Sequence, residues 1–447
     1  MFNHAISVIG SLCLAVVVTD LPAQSQDVEG LTAAFQAASP ATREYAQHVI
    51  LLAHPSLEGR LPGTSGVDLA EEVIVTSFRH AGLDPAFGPA FRQPFDFRPG
   101  GAFGTHRDMT TVTGFNIGAV IPGCGSLASE WVVLGAHHDH IGRGAFGSRS
   151  TGAPGRIHEG ADDNASGTAA VLLAARLLRD RFPPCERSTD LESPRRSILL
   201  LTFSGEESGL NGSEHFVRNA PMPLDRIALM INLDMVGRLS EGRLQVSGSQ
   251  SGDTLPAMVR AAGTTNPLEP VLSRGLTARS DHAPFYRERI PVLFLTETVF
   301  PDDYHTTEDE SWKLDFESAA NAAAFAADLV ARSALDPARP SWQEVAGFET
   351  GGGGPSISDI KIRFGIKPGN YGDTQPGVLV GGVSTGTSAE EAGIREGDLL
   401  IGWDGREIAG VMEWMRLMAP HHPGDVVTVT IIREDETLEL PVRLKPR

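Results

Sequence analysis

Five short runs of the chain are almost continuously apolar: Asn116 to Ile121, Trp131 to Ala136, Ser197 to Phe203, Ala228 to Leu233 and Pro291 to Leu295. Each is bounded by turn residues, and such runs are expected of strands covered on both faces. Between them the spacing becomes helical, most clearly over 166–181 and from about Phe316 to Arg332. Helical spacing also marks 41–54 and 66–82, on either side of the turn Gly59-Arg60-Leu61-Pro62-Gly63. Alternating strands and helices predict a layered α/β domain.

The pattern changes after Ala334. Asp336-Pro337-Ala338-Arg339-Pro340 and Gly351-Gly352-Gly353-Gly354-Pro355 read as a linker over 336–357. Beyond it lie short strands at Gly377-Val378-Leu379-Val380, Asp398 to Trp403 and Val426 to Ile432, with one amphipathic segment, Val411 to Met418. A small, β-rich second domain over 358–447 follows from this. A length of 447 residues accommodates two or three domains at roughly 150 residues each.

At the other end, Ala5 to Val18 is apolar for about 14 residues, short for a membrane helix, and precedes the small-residue site Ala23-Gln24-Ser25. Residues 1–25 therefore read as a signal peptide and the protein as exported, periplasmic or extracellular; a buried N-terminal helix is the alternative. Cys13 leaves with that segment. Cys124 and Cys185 remain, and the sequence is compatible with either a bridge or two buried thiols. No later stretch is apolar enough to cross a bilayer.

With 41% hydrophobic and 21% charged residues the composition is that of a globular protein. The formal net charge of −19 repels nucleic acid and anionic lipid, and leaves carboxylates free to bind cations.

The chemistry-bearing residues stand where apolar strands end, the place where open α/β sheets build sites. Gly135-Ala136-His137-His138-Asp139-His140 follows one strand. Its His137 and Asp139 share a face in an extended backbone, so Asp139 can orient the imidazole. Gly160-Ala161-Asp162-Asp163-Asn164-Ala165-Ser166-Gly167 precedes the 166–181 helix; the helix dipole keeps a carboxylate there ionised. Ser204-Gly205-Glu206-Glu207-Ser208-Gly209 and Asn232-Leu233-Asp234-Met235 follow two further strands, and His305-Thr306-Thr307-Glu308-Asp309 comes last. Singly, these fit ordinary caps and solvated loops. Together they supply the imidazole and carboxylate donors that suit a pair of zinc ions.

In this order, GAHHDH, GADDNASG, SGEES, NLDM and HTTED resemble the di-zinc aminopeptidase family, which includes bacterial leucyl aminopeptidases and is related to glutamate carboxypeptidase. The resemblance covers roughly residues 40 to 334. It implies a zinc-peptidase-type α/β fold, a central mixed sheet flanked by helices, over 26–335. It implies two zinc ions, with Asp163 bridging them, His137 and Asp234 completing one site, and Glu207 and His305 the other. It makes Glu206 the general base, Asp139 the partner of His137, and Asp163-Asn164 a candidate cis peptide. Ser280-Asp281-His282 resembles a further family motif with a supporting role near the site. Unlike many relatives, the chain has too short a stretch between Arg60 and Trp131 for a protease-associated insert. Its second domain resembles a PDZ domain on Ile362-Arg363-Phe364-Gly365-Ile366, Gly377 to Val380, Ala389 to Ile394 and Gly397 to Ile401. Such a domain captures a peptide C-terminus, here at Phe364, Gly365 and Ile366, or serves as a spacer with a closed groove.

The expected activity is removal of N-terminal residues from peptides by metal-activated water. A carboxypeptidase or a glutaminyl cyclase of the same fold, and an inactive peptide-binding protein acting through its PDZ-like domain, are the competing readings. Retention of both His137 and Asp234 argues against a single-zinc cyclase.

Overall fold

In the computed structural model, residues 36–99, 110–150, 155–185, 194–273, 275–345, 348, 360–368, 377–408, 410–434 and 436–446 are described. The expected signal peptide, half of the expected linker, including its Gly-rich run, and part of the second domain lie outside them. None of the helices among the described residues is long and apolar enough to cross a membrane.

Three central strands, β4 (Trp131–His137), β5 (Ser197–Phe203) and β6 (Ile227–Leu233), pair in parallel and are buried almost throughout. Alternate side chains serve the two faces. Val132, Leu134, Ile198, Leu200, Leu229 and Ile231 enter one core, under α1 (Pro40–Leu52), α2 (Ser65–His80), α3 (Gly167–Arg181) and α7 (Phe316–Leu335). Val133, Leu199, Leu201 and Met230 enter the other, with Phe216 of α4 (Asn211–Arg218) and Phe285 of α6 (His282–Arg287). This two-sided burial is why these strands read as unbroken apolar runs. Truncating a fully buried residue such as Leu200 to Ala would cost about 2–5 kcal/mol.

Around this centre the sheet is mixed. β9 (Val292–Glu297) extends it in parallel beside β6; β7 (Arg243–Ser247) is antiparallel to β9, and β8 (Glu269–Leu272) pairs with β7. On the other side β3 (Val112–Ile121) runs antiparallel to β5 and carries β1 (Asp84–Pro85) and β2 (Arg92–Phe97). The resulting order is β1-β3-β5-β4-β6-β9-β7-β8, with β2 also on β3. Helix α5 (Leu255–Gly263) packs beside β8. Helices α3 and α7 are rich in alanine, which lets them lie close to each other and to the sheet.

The second body is a six-stranded antiparallel sheet of β10 (Ile366–Pro368), β11 (Val378–Val383), β12 (Leu399–Trp403), β13 (Arg406–Glu407), β14 (Val426–Arg433) and β15 (Glu436–Arg443), with α8 (Ser388–Glu391) and α9 (Val411–Met418). It has its own core, containing Phe364, Trp403, Trp414 and Ile431. Two details refine the sequence reading. Cys124 and Cys185 are bridged, with their Cα atoms 6.0 Å apart. Part of the segment read as linker is docked on the first domain: Arg196 donates to the Asp336 carbonyl, Gln343 N–H to the Ser251 carbonyl at 2.8 Å, and Val345 N–H to the Tyr286 hydroxyl at 2.6 Å.

Candidate metal centre

The carboxyl ends of β4, β5 and β6 deliver His137, the Glu206–Glu207 pair and Asp234 to one place. The turn before α3 adds Asp163 and the segment after β9 adds His305. His137 Nε2 lies 3.3 Å from Asp163 Oδ1 and 3.4 Å from Asp234 Oδ1. His305 Nε2 lies 3.0 Å from Asp163 Oδ2 and 2.8 Å from Glu207 Oε2. Asp163 thus turns one oxygen to each histidine. Glu206 lies at the edge of the first grouping, with His137 and Asp234, its Oε2 4.0 Å from His137 Nε2. The Asp163–Asn164 peptide is cis.

The donors fit a metal. Among the described residues no Lys or Arg forms an ion pair with Asp163, Glu206, Glu207 or Asp234, although these carboxylates crowd a largely buried pocket. Asp163 Oδ2 and His305 Nε2 are buried without a hydrogen-bond partner. Burial works against a charged imidazole, yet the neighbouring carboxylates hold His137 and His305 well above the usual histidine range. Burial raises Glu206, and Asp234, Glu207 and Asp281 add to the rise. A cation relieves this concentration of negative charge.

Residues 116–330 match peptidase family M28, and residues 362–444 match the PDZ domain. The peptidase match falls on the large mixed sheet and the PDZ match on the second sheet. A probable leucine aminopeptidase of Trichophyton verrucosum is 30% identical over 210 residues, covering 45% of this chain and 51% of the relative. A glutaminyl-peptide cyclotransferase of Drosophila melanogaster is 24% identical over 299 residues, covering 59% and 74% respectively. The chain spans about half the length of the leucine aminopeptidases it matches. In three dimensions it shares the fold of an aminopeptidase from Aneurinibacillus sp. strain AM-1, with a TM-score of 0.52, 16% identity and 70% of this chain and 98% of that one covered. A zinc aminopeptidase from Bacillus subtilis gives a TM-score of 0.51 at 17% identity, over 68% and 98%.

One contact in the M28 domain differs from expectation. The Asp139 carboxylate is 3.8 Å from His137 Nδ1, which instead donates to the Asp139 backbone carbonyl at 3.2 Å. Asp139 Oδ1 accepts the Glu206 N–H at 3.2 Å, so this acid braces the segment that carries Glu206. Burial raises Asp139 to about 7. Ser280 does support the site, its hydroxyl donating to Asp234 Oδ2 at 2.7 Å.

Several neighbours went unread in the sequence. Asp309 accepts the backbone N–H groups of Asp162 and Asp163 at 3.0 Å each, and is itself held by Arg238 at 2.7 Å. Arg60 is fully buried and donates to the carbonyls of Leu52, His138, Glu159 and Gly160, tying the histidine loop to the loop before Asp163. The Tyr304 ring stacks on His305 with centroids 3.9 Å apart. Burial, with Asp163 and Glu207 close by, keeps its hydroxyl protonated. His140 joins Glu207, Asp163 and His305 in one buried group. The available signal was the HxDH spacing and the Asp four residues after His305; neither reveals its partner before folding.

In the PDZ domain the Phe364 ring is buried against Trp403 and Trp414, 5.2 and 5.5 Å between centroids. Gly365 sits at φ +94°, where a Cβ would lie 2.2 Å from Thr387 Cβ, so this turn requires glycine.

Proposed function

We propose that the chain is an exported zinc aminopeptidase using two metal ions. The observation that carries this reading is the pair of Asp163 contacts, one oxygen toward His137 and the other toward His305. His137, Asp163 and Asp234 would hold one zinc; Asp163, Glu207 and His305 would hold the other. Bound zinc supplies Lewis acidity to a water molecule and to the scissile carbonyl. Glu206, the most distant of the acids around His137, takes the proton that the attacking water gives up and passes it to the departing amine. Asp139 positions Glu206 through its backbone, and Tyr304 offers a protonated hydroxyl to the carbonyl oxygen.

The charge of the pocket favours an aminopeptidase over a carboxypeptidase. A protonated α-amine is attracted to Asp234 and Glu206, whereas a substrate carboxylate needs a cationic side chain, and no Lys or Arg pairs with the cluster among the described residues. Two separate donor groups argue against a one-zinc cyclase. Export is supported by the apolar 5–18 segment and by the Cys124–Cys185 bridge. Capture of peptide C-termini by the backbone at Phe364, Gly365 and Ile366 is the partner reading for the PDZ domain.

Zinc content per chain, measured with hydrolysis of amino-acid p-nitroanilides, tests the reading. About two zinc ions and release of p-nitroaniline are expected. A metal-free, inert chain would overturn it.

A further inference from the structure

We propose that His140 is a positioning residue that locks Glu207 into binding metal through one oxygen only. This rests on the two-zinc reading above and adds a residue to it. His140 is fully buried, and its Nδ1 lies 2.6 Å from Glu207 Oε1. The other carboxylate oxygen, Oε2, is the one 2.8 Å from His305 Nε2. Glu207 is thus divided: Oε2 faces the metal-ligand nitrogen and Oε1 faces His140.

Two donors on one zinc, each about 2.0–2.2 Å from it in near-tetrahedral geometry, stand roughly 3.3–3.6 Å apart. The Asp163–His137 and Asp234–His137 pairs, at 3.3 and 3.4 Å, match that spacing, while His305 sits closer to Asp163 and Glu207, at 3.0 and 2.8 Å. The His140–Glu207 separation of 2.6 Å is shorter than all of these and is that of a short charge-assisted hydrogen bond. From Asp163 Oδ2, His140 Nδ1 is 3.9 Å away. The Nδ1–H of His140 therefore donates to Glu207 Oε1, which denies that oxygen to the metal and fixes the carboxylate plane.

The fold makes room for this contact. The His140 N–H donates to the Arg60 carbonyl at 3.2 Å, which anchors the backbone. The ring packs edge-on to His305, centroids 5.6 Å apart. Gly160 has φ +58°, and a Cβ there would lie 2.5 Å from His140 Cδ2. Only glycine admits the imidazole at that point.

The test uses the full chain, stripped with a chelator and titrated with zinc, and with cobalt for its visible spectrum. His140→Asn keeps an N–H donor close to the position of Nδ1; His140→Leu removes it, and His140→Ser serves if the Leu variant does not fold. The expected result is a loss of about 10–100-fold in affinity for one metal equivalent in the Leu or Ser variant, with an altered cobalt spectrum, and near-native binding in the Asn variant. Unchanged binding in Leu and Ser variants would overturn the proposal. So would equal losses in Asn and Leu variants, the mark of a direct ligand, while the two-zinc reading would stand. An unmodified chain that takes up no metal would defeat that reading and this inference with it.

Discussion

The carboxylate of Asp309 accepts the backbone N–H of Asp163 at 3.0 Å, so the acid shared by the two donor groups is held in place by an acid outside them. Arg238 in turn grips Asp309 at 2.7 Å and Asp303 at 2.5 Å, and Lys313 reaches Asp303 at 2.8 Å. Outer partners of this kind are typically worth 10–100-fold in metal affinity. Asp309→Ala should lower zinc affinity by about that factor in a chelator competition. Unaltered affinity in a folded variant would show that the loop before α3 holds its shape without Asp309.

Glu206→Gln should abolish turnover and leave the metal bound. Its Oε2 lies 4.0 Å from His137 Nε2, farther than the Asp163 and Asp234 oxygens at 3.3 and 3.4 Å, so on the base reading losing the charge removes proton transfer alone. The expected fall in kcat is about 10²–10⁴-fold with zinc content unchanged. Loss of zinc would mean that Glu206 and Glu207 have exchanged roles.

Asp163→Ala and Asp234→Ala should differ in metal count. The first removes an oxygen from each donor group, the second from one. Equilibrium dialysis against zinc should therefore show both equivalents weakened in the Asp163 variant and one in the Asp234 variant. Loss of the same single metal in both would contradict a bridging Asp163.

Away from the site, burial beside Arg176 lowers His48 to about 4. The folded chain keeps this imidazole neutral where the unfolded chain, near 6.5, takes up a proton. Its contribution is present above about pH 6.5 and is lost progressively as pH falls toward 4. At about 1.4 kcal/mol per unit over about 2.5 units, the difference is of order 3–4 kcal/mol. Thermal unfolding of His48→Leu should lose less stability than the unmodified chain between pH 6.5 and 4, and parallel curves would refute the assignment.

What could be read before folding was what repeats locally. The central strands were legible because burial on both faces leaves Leu199, Leu200, Leu201 and their neighbours no polar alternation. The candidate ligands stood out because His137, Glu207 and Asp234 sit at or just beyond strand ends, Asp163 just before a helix and His305 in the segment after β9. The short strands β1, β7 and β8 carry too few residues for a period, and His140, Arg60 and Asp309 gain meaning only from partners many residues away. Docking of Trp342 against Tyr286, at 5.6 Å between centroids, was hidden for the same reason under a Pro-rich composition.

That docking sets where the chain can be cut. A chain ending after Phe348 should fold, bind zinc and act on dipeptide-sized substrates, because the first domain has its own cores. One ending at Leu335 should be less stable, since it lacks the Gln343 and Val345 hydrogen bonds. If the PDZ domain captures C-termini, the longer fragment should lose activity only on long peptides. Changed kinetics on a dipeptide would show instead that the PDZ domain acts at the active site.

The most direct test of the account compares a peptide with a free N-terminus and its N-acetylated twin, each incubated with the zinc-loaded chain and followed by mass spectrometry. The account predicts stepwise loss of N-terminal residues from the free peptide and no cleavage of the blocked one. Release of C-terminal residues from either peptide, internal cleavage of the blocked one, or cyclisation of an N-terminal glutamine without peptide hydrolysis would contradict it.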